Sequence, residues 1–239
     1  MNLAFRFLRP LIATGLLGIA ALASAAPPQV QNTLAERTRT CTACHGKEGR
    51  ATREGYFPRI AGKPAGYLFN QLVNFRDDRR KNAAMTYLVQ HLSDDYLREI
   101  AGYFAELDLP YAPPPPAPPA DMAALGEKLV LRGDPARDLP SCLRCHGDTL
   151  TGVLPGIPGL LGLPRDYVIA QFGAWRNGQR RSPEPDCMAQ ITKTLTAQDI
   201  GAVAAWLASR PLPVSSKPAE RIATPLPIAC GSGLEGARP

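Results

Sequence analysis

Apolar residues along this chain recur at helical spacing, and strand-like alternation is absent. Ser93, followed by Asp94 and Asp95, has the pattern of an N-cap and acidic first turn. Leu97, Ile100, Ala101 and Phe104 then form one stripe of an amphipathic helix. The same arrangement begins at Thr196 and carries Ile200, Val203, Ala204 and Leu207. A second helix pair is expected over Tyr67 to Phe75 and Tyr167 to Trp175, and a third from about Thr33 and from Asp121. The fold class implied is all-α. Near the start, Leu11 to Leu22 is a continuous apolar run, shorter than the ~20 residues a membrane-spanning helix needs.

The helices come in pairs because the chain repeats itself. Cys41-Thr-Ala-Cys44-His45-Gly46 recurs as Cys142-Leu-Arg-Cys145-His146-Gly147, and Pro58-x-Ile60-x-Gly62-x-Pro64-x-x-Tyr67 as Pro158-x-Leu160-x-Gly162-x-Pro164-x-x-Tyr167. Gln71, Phe75, Arg76 and Arg80 match Gln171, Trp175, Arg176 and Arg180, and Met85 matches Met188. A near-constant offset over this distance indicates two copies of one domain. We place them at about 30–110 and 121–211. The run at 111–120 is mostly proline and supports neither helix nor sheet ladder, so it is expected to be a semi-rigid linker. The segment 212–239 reads as a proline-rich tail.

Composition adds three things. Arg6 and Arg9, the apolar run and the small-residue site Ala23-Ser24-Ala25 make residues 1–25 an expected secretory signal peptide; an uncleaved anchor is the alternative. Export, with the periplasm as destination, places the six cysteines in an oxidising compartment. The formal charge of +6 falls to +4 once Arg6 and Arg9 are removed, so the basic balance makes no case for nucleic acid.

Cys-x-x-Cys-His is the attachment signature of c-type haem. Its two thiols add to the vinyl groups of one haem, and the histidine becomes an axial ligand. A thioredoxin-like pair would need a strand–helix context, and a structural zinc site would need four converging ligands. Two signatures in a duplicated, exported chain point instead to two covalently bound haem c groups on Cys41, Cys44, Cys142 and Cys145, with His45 and His146 as iron ligands. Small helical units of about 80 residues also benefit from a cofactor that completes the core. Once the signal is removed, the methionines are Met85, Met122 and Met188. Met85 follows His45 by 40 residues and Met188 follows His146 by 42, both expected in loops before the last helix of their unit. They are the candidate sixth ligands. Met122 has no repeat partner and is expected to pack in the core, and His91 to lie on the surface.

Other assignments stay open on sequence alone. Arg76, Arg80, Arg176 and Arg180 either neutralise haem propionates or line a solvated helix face. Cys187, beside Met188, either pairs with Cys230 or offers its thiolate to the iron.

With these motifs in place, the chain resembles cytochrome c4, a tandem pair of class I cytochrome c domains, over about residues 33–110 and 121–210. The resemblance implies helical domains, His/Met ligation by His45 with Met85 and His146 with Met188, and haems that approach each other across the domain interface. It also implies a periplasmic location, peripheral membrane association in some members, and single-electron transfer to terminal oxidases or other redox partners. The polyproline linker, the Cys187-Met188 pair and the tail with Cys230 depart from that pattern and suit a specialised relative, such as the cytochrome subunit of a dehydrogenase. Two sixth ligands leave no open iron position, so an electron carrier is expected rather than an enzyme. A di-haem oxidoreductase is the alternative.

Overall fold

Ser93 does cap a helix: its hydroxyl accepts from the Tyr96 N–H at the start of α5 (Asp94–Glu106). The stripe of Leu97, Ile100, Ala101 and Phe104 is buried. In a computed structural model that describes residues 31–52, 55–222 and 224–232, α5 packs against α3 (Ala65–Arg76). The proposed signal peptide lies outside the described residues.

The first domain also contains α1 (Leu34–Arg37), α2 (Arg39–His45) and α4 (Ala83–Val89). The second is built from α6 (Ala120–Leu131), α7 (Leu143–His146), α8 (Arg165–Arg176), α9 (Cys187–Thr194) and α10 (Ala197–Ala208). Thr196 caps α10 in a reciprocal capping box with Asp199, which satisfies two backbone donors at once. Among the described residues, the departures from an all-helical reading are a two-stranded antiparallel ladder, β1 (Gly152–Val153) with β2 (Ile157–Pro158), and three isolated bridges. Strands of two residues are too short to leave an alternating pattern.

The hydrophobic core is divided between the domains. In the second, Leu129 and Val130 of α6 meet Ile200, Val203, Trp206 and Leu207 of α10 in one cluster. The helices cross at Gly126, where an added Cβ would sit 2.4 Å from the Ala202 carbonyl oxygen. Gly126→Ala must therefore force the pair apart. We expect it to destabilise the second domain by about 1–3 kcal/mol, measured by thermal unfolding. In the first domain, two smaller clusters centre on Phe104 and on Leu97, and Met85 packs against the latter with Phe75 and Val89.

Met85 and Met188 stand in the short helices α4 and α9, not in loops. Their caps explain why: Asn82 accepts from the Met85 N–H and Asp186 from the Ala189 N–H, each at 3.0 Å. Both cap residues suit the position, but helices of seven and eight residues are too short to show a periodic stripe.

Residues 107–119 adopt no regular structure between α5 and α6. They do not hold the domains apart. Arg59 donates to the carbonyls of Leu109 and Pro110, and its guanidinium lies 3.8 Å from the centre of the Tyr111 ring. That ring in turn occupies the space beside Gly162. The described residues from Asn32 onward form one compact unit.

Candidate functional site

Each Cys-x-x-Cys-His motif ends a short helix at its histidine: α2 carries the whole of the first, and Cys142 of the second stands at the N-cap of α7. The following glycine must turn the chain sharply: Gly46 has φ +76° and Gly147 φ +85°. A Cβ on Gly46 would lie 2.3 Å from the Ala51 carbonyl oxygen, so the glycine is required by space as well as by φ. This turn brings the Pro58 and Pro158 carbonyls over the rings. His45 Nδ1 lies 2.8 Å from Pro58 O, and His146 Nδ1 lies 2.8 Å from Pro158 O.

A carbonyl oxygen can only accept, so Nδ1 must carry the proton. The bond fixes the tautomer, orients the ring and leaves Nε2 with a free lone pair, the arrangement of a metal-ligating histidine. Burial pushes the pKa of both imidazoles down, which keeps them neutral. The same bond is built twice from equivalent residues.

The four cysteines of the motifs form no disulfide. Burial raises the thiols of Cys41 and Cys145 and pushes Cys142 up to about 12. A redox-active Cys-x-x-Cys needs the opposite shift. Among the described residues, no three Cys, His, Asp or Glu side chains converge to hold a bare metal ion, so a zinc-type cluster is not assembled.

The repeat meets itself at the centre of the molecule. Arg80 and Arg180 face each other in an antiparallel backbone bridge, with Lys81 N–H donating to Gln179 O and Arg181 N–H to Arg79 O, each at 2.7 Å. Each guanidinium then reaches into both domains. Arg80 donates to Gln71 (2.9 Å), to Gln171 (2.7 Å) and to the Tyr167 hydroxyl (3.0 Å). Arg180 donates to Gln171 (2.8 Å), Gln71 (3.1 Å) and the Tyr67 hydroxyl (3.4 Å). Arg80 is 8% exposed and Arg180 6%, which excludes a solvated helix face for these two. Arg176 is exposed, and Arg76 is held by Asp94 at 2.6 Å.

Neither buried arginine has a carboxylate partner among the described residues, and burial together with the adjacent Arg80 presses the pKa of Arg180 down. Lys63, donating to Gly159 O across the domain boundary, is also buried, and burial lowers it to about 8. Trp175, stacked on Arg180, buries an Nε1–H that has no acceptor. Buried cations and orphaned donors are costly unless anions reach them. Haem propionates are carboxylates of the kind these groups lack, so the residues present fit the cofactor.

Of the residues singled out from sequence, His91 is exposed and Met122 half-buried on α6. Cys187 and Cys230 are joined in a disulfide, so the thiolate alternative for the iron does not apply in this structure. Sequence reading did not foresee the cross-domain roles of Tyr67, Gln71, Tyr167 and Gln171. The signal was present, since all four belong to the repeated motif.

Two helical domains, each offering a Cys-x-x-Cys-His motif with a backbone-fixed histidine and a downstream methionine helix, define a tandem class I c-type cytochrome. The comparisons agree. The chain is 38% identical over 189 residues to a thiosulfate dehydrogenase electron acceptor from Thiomonas intermedia (79% of this chain, 83% of that protein). It is 32% identical over 200 residues to cytochrome c4 of Pseudomonas aeruginosa (82% and 94%). Among solved structures, reduced recombinant cytochrome c4 from Pseudomonas stutzeri superposes with a TM-score of 0.65 at 29% identity, covering 74% of this chain and 96% of that one. Thiosulfate dehydrogenase (TsdBA) from Marichromatium purpuratum gives 0.65 at 33% identity, covering 72% of this chain. The match spans only 36% of the Marichromatium chain. No protein-family model matches.

The chain belongs to the cytochrome c4 family. It is a di-haem c-type cytochrome with two covalently bound haems, and it transfers electrons to redox partners. It is an electron-transfer protein.

Proposed function

We propose that the chain is a periplasmic carrier that receives electrons from a thiosulfate-oxidising dehydrogenase and passes them to a terminal oxidase or another cytochrome. The haems would be tethered through Cys41, Cys44, Cys142 and Cys145, the first iron held by His45 and Met85 and the second by His146 and Met188. The observation that carries the ligand set is the paired Nδ1–carbonyl bond, which presents a bare Nε2 at the same place in both domains. The donor assignment is supported by relatives named thiosulfate dehydrogenase electron acceptor at 38% and 34% identity. Residues 1–25 would direct export and be removed.

When bound, the haem iron supplies a one-electron ferric–ferrous couple, and a thioether ligand raises its potential. The protein does the rest. His45 and His146 stay neutral and oriented, and the buried cations Arg80, Arg180 and Lys63 would compensate propionate charge. Among the described residues, no helix is long and apolar enough to cross a membrane.

Mixing the oxidised holoprotein with a purified thiosulfate dehydrogenase and thiosulfate should reduce both haems within the enzyme's turnover time. Reduction no faster than with thiosulfate alone would contradict the donor assignment. A second check concerns ligation: six-coordinate ferrous haems should bind carbon monoxide slowly, and rapid binding at both would contradict the ligand set.

A further inference from the structure

The tail after α10 is pinned to the second domain at four points. Ala219 extends the small ladder, its N–H donating to Gly152 O (2.9 Å) and its carbonyl accepting from Leu154 N–H (2.8 Å). The Pro225 carbonyl lies 3.5 Å from the exposed guanidinium of Arg144, which stands between Cys142 and Cys145. Cys230 is bonded to Cys187, the neighbour of Met188. Gly231 donates to Pro185 O at 2.9 Å, in a fit so close that a Cβ there would lie 2.3 Å from Glu184 O.

Between the second and third points the chain has five residue steps, about 17 Å at full extension. In that distance it passes from α7, which ends at His146, to the helix that carries Met188. On the ligand set proposed above, on which this inference rests, a haem held by His146 and Met188 would lie between those two elements. We infer that Pro225–Cys230 is a strap, latched by the Cys187–Cys230 disulfide, that closes the outer edge of the second haem. The first haem then presents the edge that an electron-transfer protein can approach.

The first domain differs accordingly. Among the described residues, no segment links its cysteine loop to its methionine helix. Cys44 is exposed where its counterpart Cys145 is half-buried. Tyr56, Tyr87 and Leu88 leave large apolar surface in solvent, at 65%, 75% and 38% exposure. Tyr56 touches Phe57, which packs edge-on against His45, and Tyr87 and Leu88 share α4 with Met85. The corresponding residues of the second domain are Gly156 and Ile157, both buried, and Gln190–Ile191 on α9; its exposed apolar residue near the motif is Leu154, at 41% exposure in the β1–β2 turn, and no aromatic is exposed among its described residues. Apolar surface exposed beside a buried redox group suits a partner that docks through a desolvated contact. In the exchange itself, one electron leaves the partner and converts ferric iron of the first domain to ferrous, and no bond is made or broken.

The test uses oxidised holoprotein, in which each ferric haem gives its own shifted methyl resonances, and a soluble neutral gadolinium chelate that broadens the lines it can approach. In the wild type, the first-haem lines should broaden while the second-haem lines keep their width. In the Cys187→Ser/Cys230→Ser variant, both sets should broaden alike. Met188→Leu identifies the second set, because only its lines should move. Equal broadening of both haems in the wild type, which needs no variant, would overturn the inference, and so would a second set still fully protected in the double variant. The weak red absorption of methionine-ligated ferric haem is recorded on the same samples. Full intensity keeps the ligand set intact whichever way the broadening falls, and a loss in the wild type marks failure of the ligand set instead.

Discussion

Met85→Leu should lower the reduction potential of the first haem by on the order of 0.2 V, a fraction of the ~0.8 V range that axial ligands command. Leucine nearly preserves the volume that packs against Phe75, Val89 and Leu97, so the core is expected to survive the change. What disappears is the sulfur, a soft ligand that favours ferrous iron. Half of the red ferric absorption should vanish with it, and carbon monoxide should then bind rapidly to one haem of the two. Met188→Leu should do the same in the second domain. Protein-film voltammetry measures both potentials, and an unchanged potential in either variant would remove that methionine from the ligand set.

The other large effect is expected at the domain boundary. Arg80→Met deletes a buried cation that donates to Gln71, Gln171 and Tyr167 and stacks 4.6 Å from the Phe75 ring centre. Removing one member of a buried charged network leaves its partners unsatisfied, at a cost of about 3 kcal/mol. Because the bonds join the two domains, the loss should appear as separated unfolding transitions where the wild type shows one. The potentials should also fall, since a missing positive charge favours the ferric state. Arg80→Lys should restore little, because a single ammonium cannot reproduce a fork that reaches both domains. A coincident transition and unchanged potentials in Arg80→Met would show that this network does not join the domains.

Much of this was legible in the sequence because the repeat displays it twice. The cysteines, the histidines and the helices that carry Phe104 and Leu207 follow from spacing alone. The methionine helices were missed because a polar cap and two turns leave no periodic signature. The arginines were undecidable for a different reason. Arg76 and Arg80 lie one helical turn apart in sequence, yet one reaches Asp94 at the surface and the other is buried against the second domain. Only the way the repeat folds back on itself separates them. The tail was readable in part: an exported chain with two spare cysteines suggested the bond to Cys187, but nothing in its composition showed that it also runs past Arg144.

The central claim is that every iron is clamped between an imidazole nitrogen and a methionine sulfur. Iron X-ray absorption on the oxidised holoprotein reads that coordination directly. The account predicts a single sulfur neighbour at each iron. An averaged sulfur count near one half, or none, would contradict it.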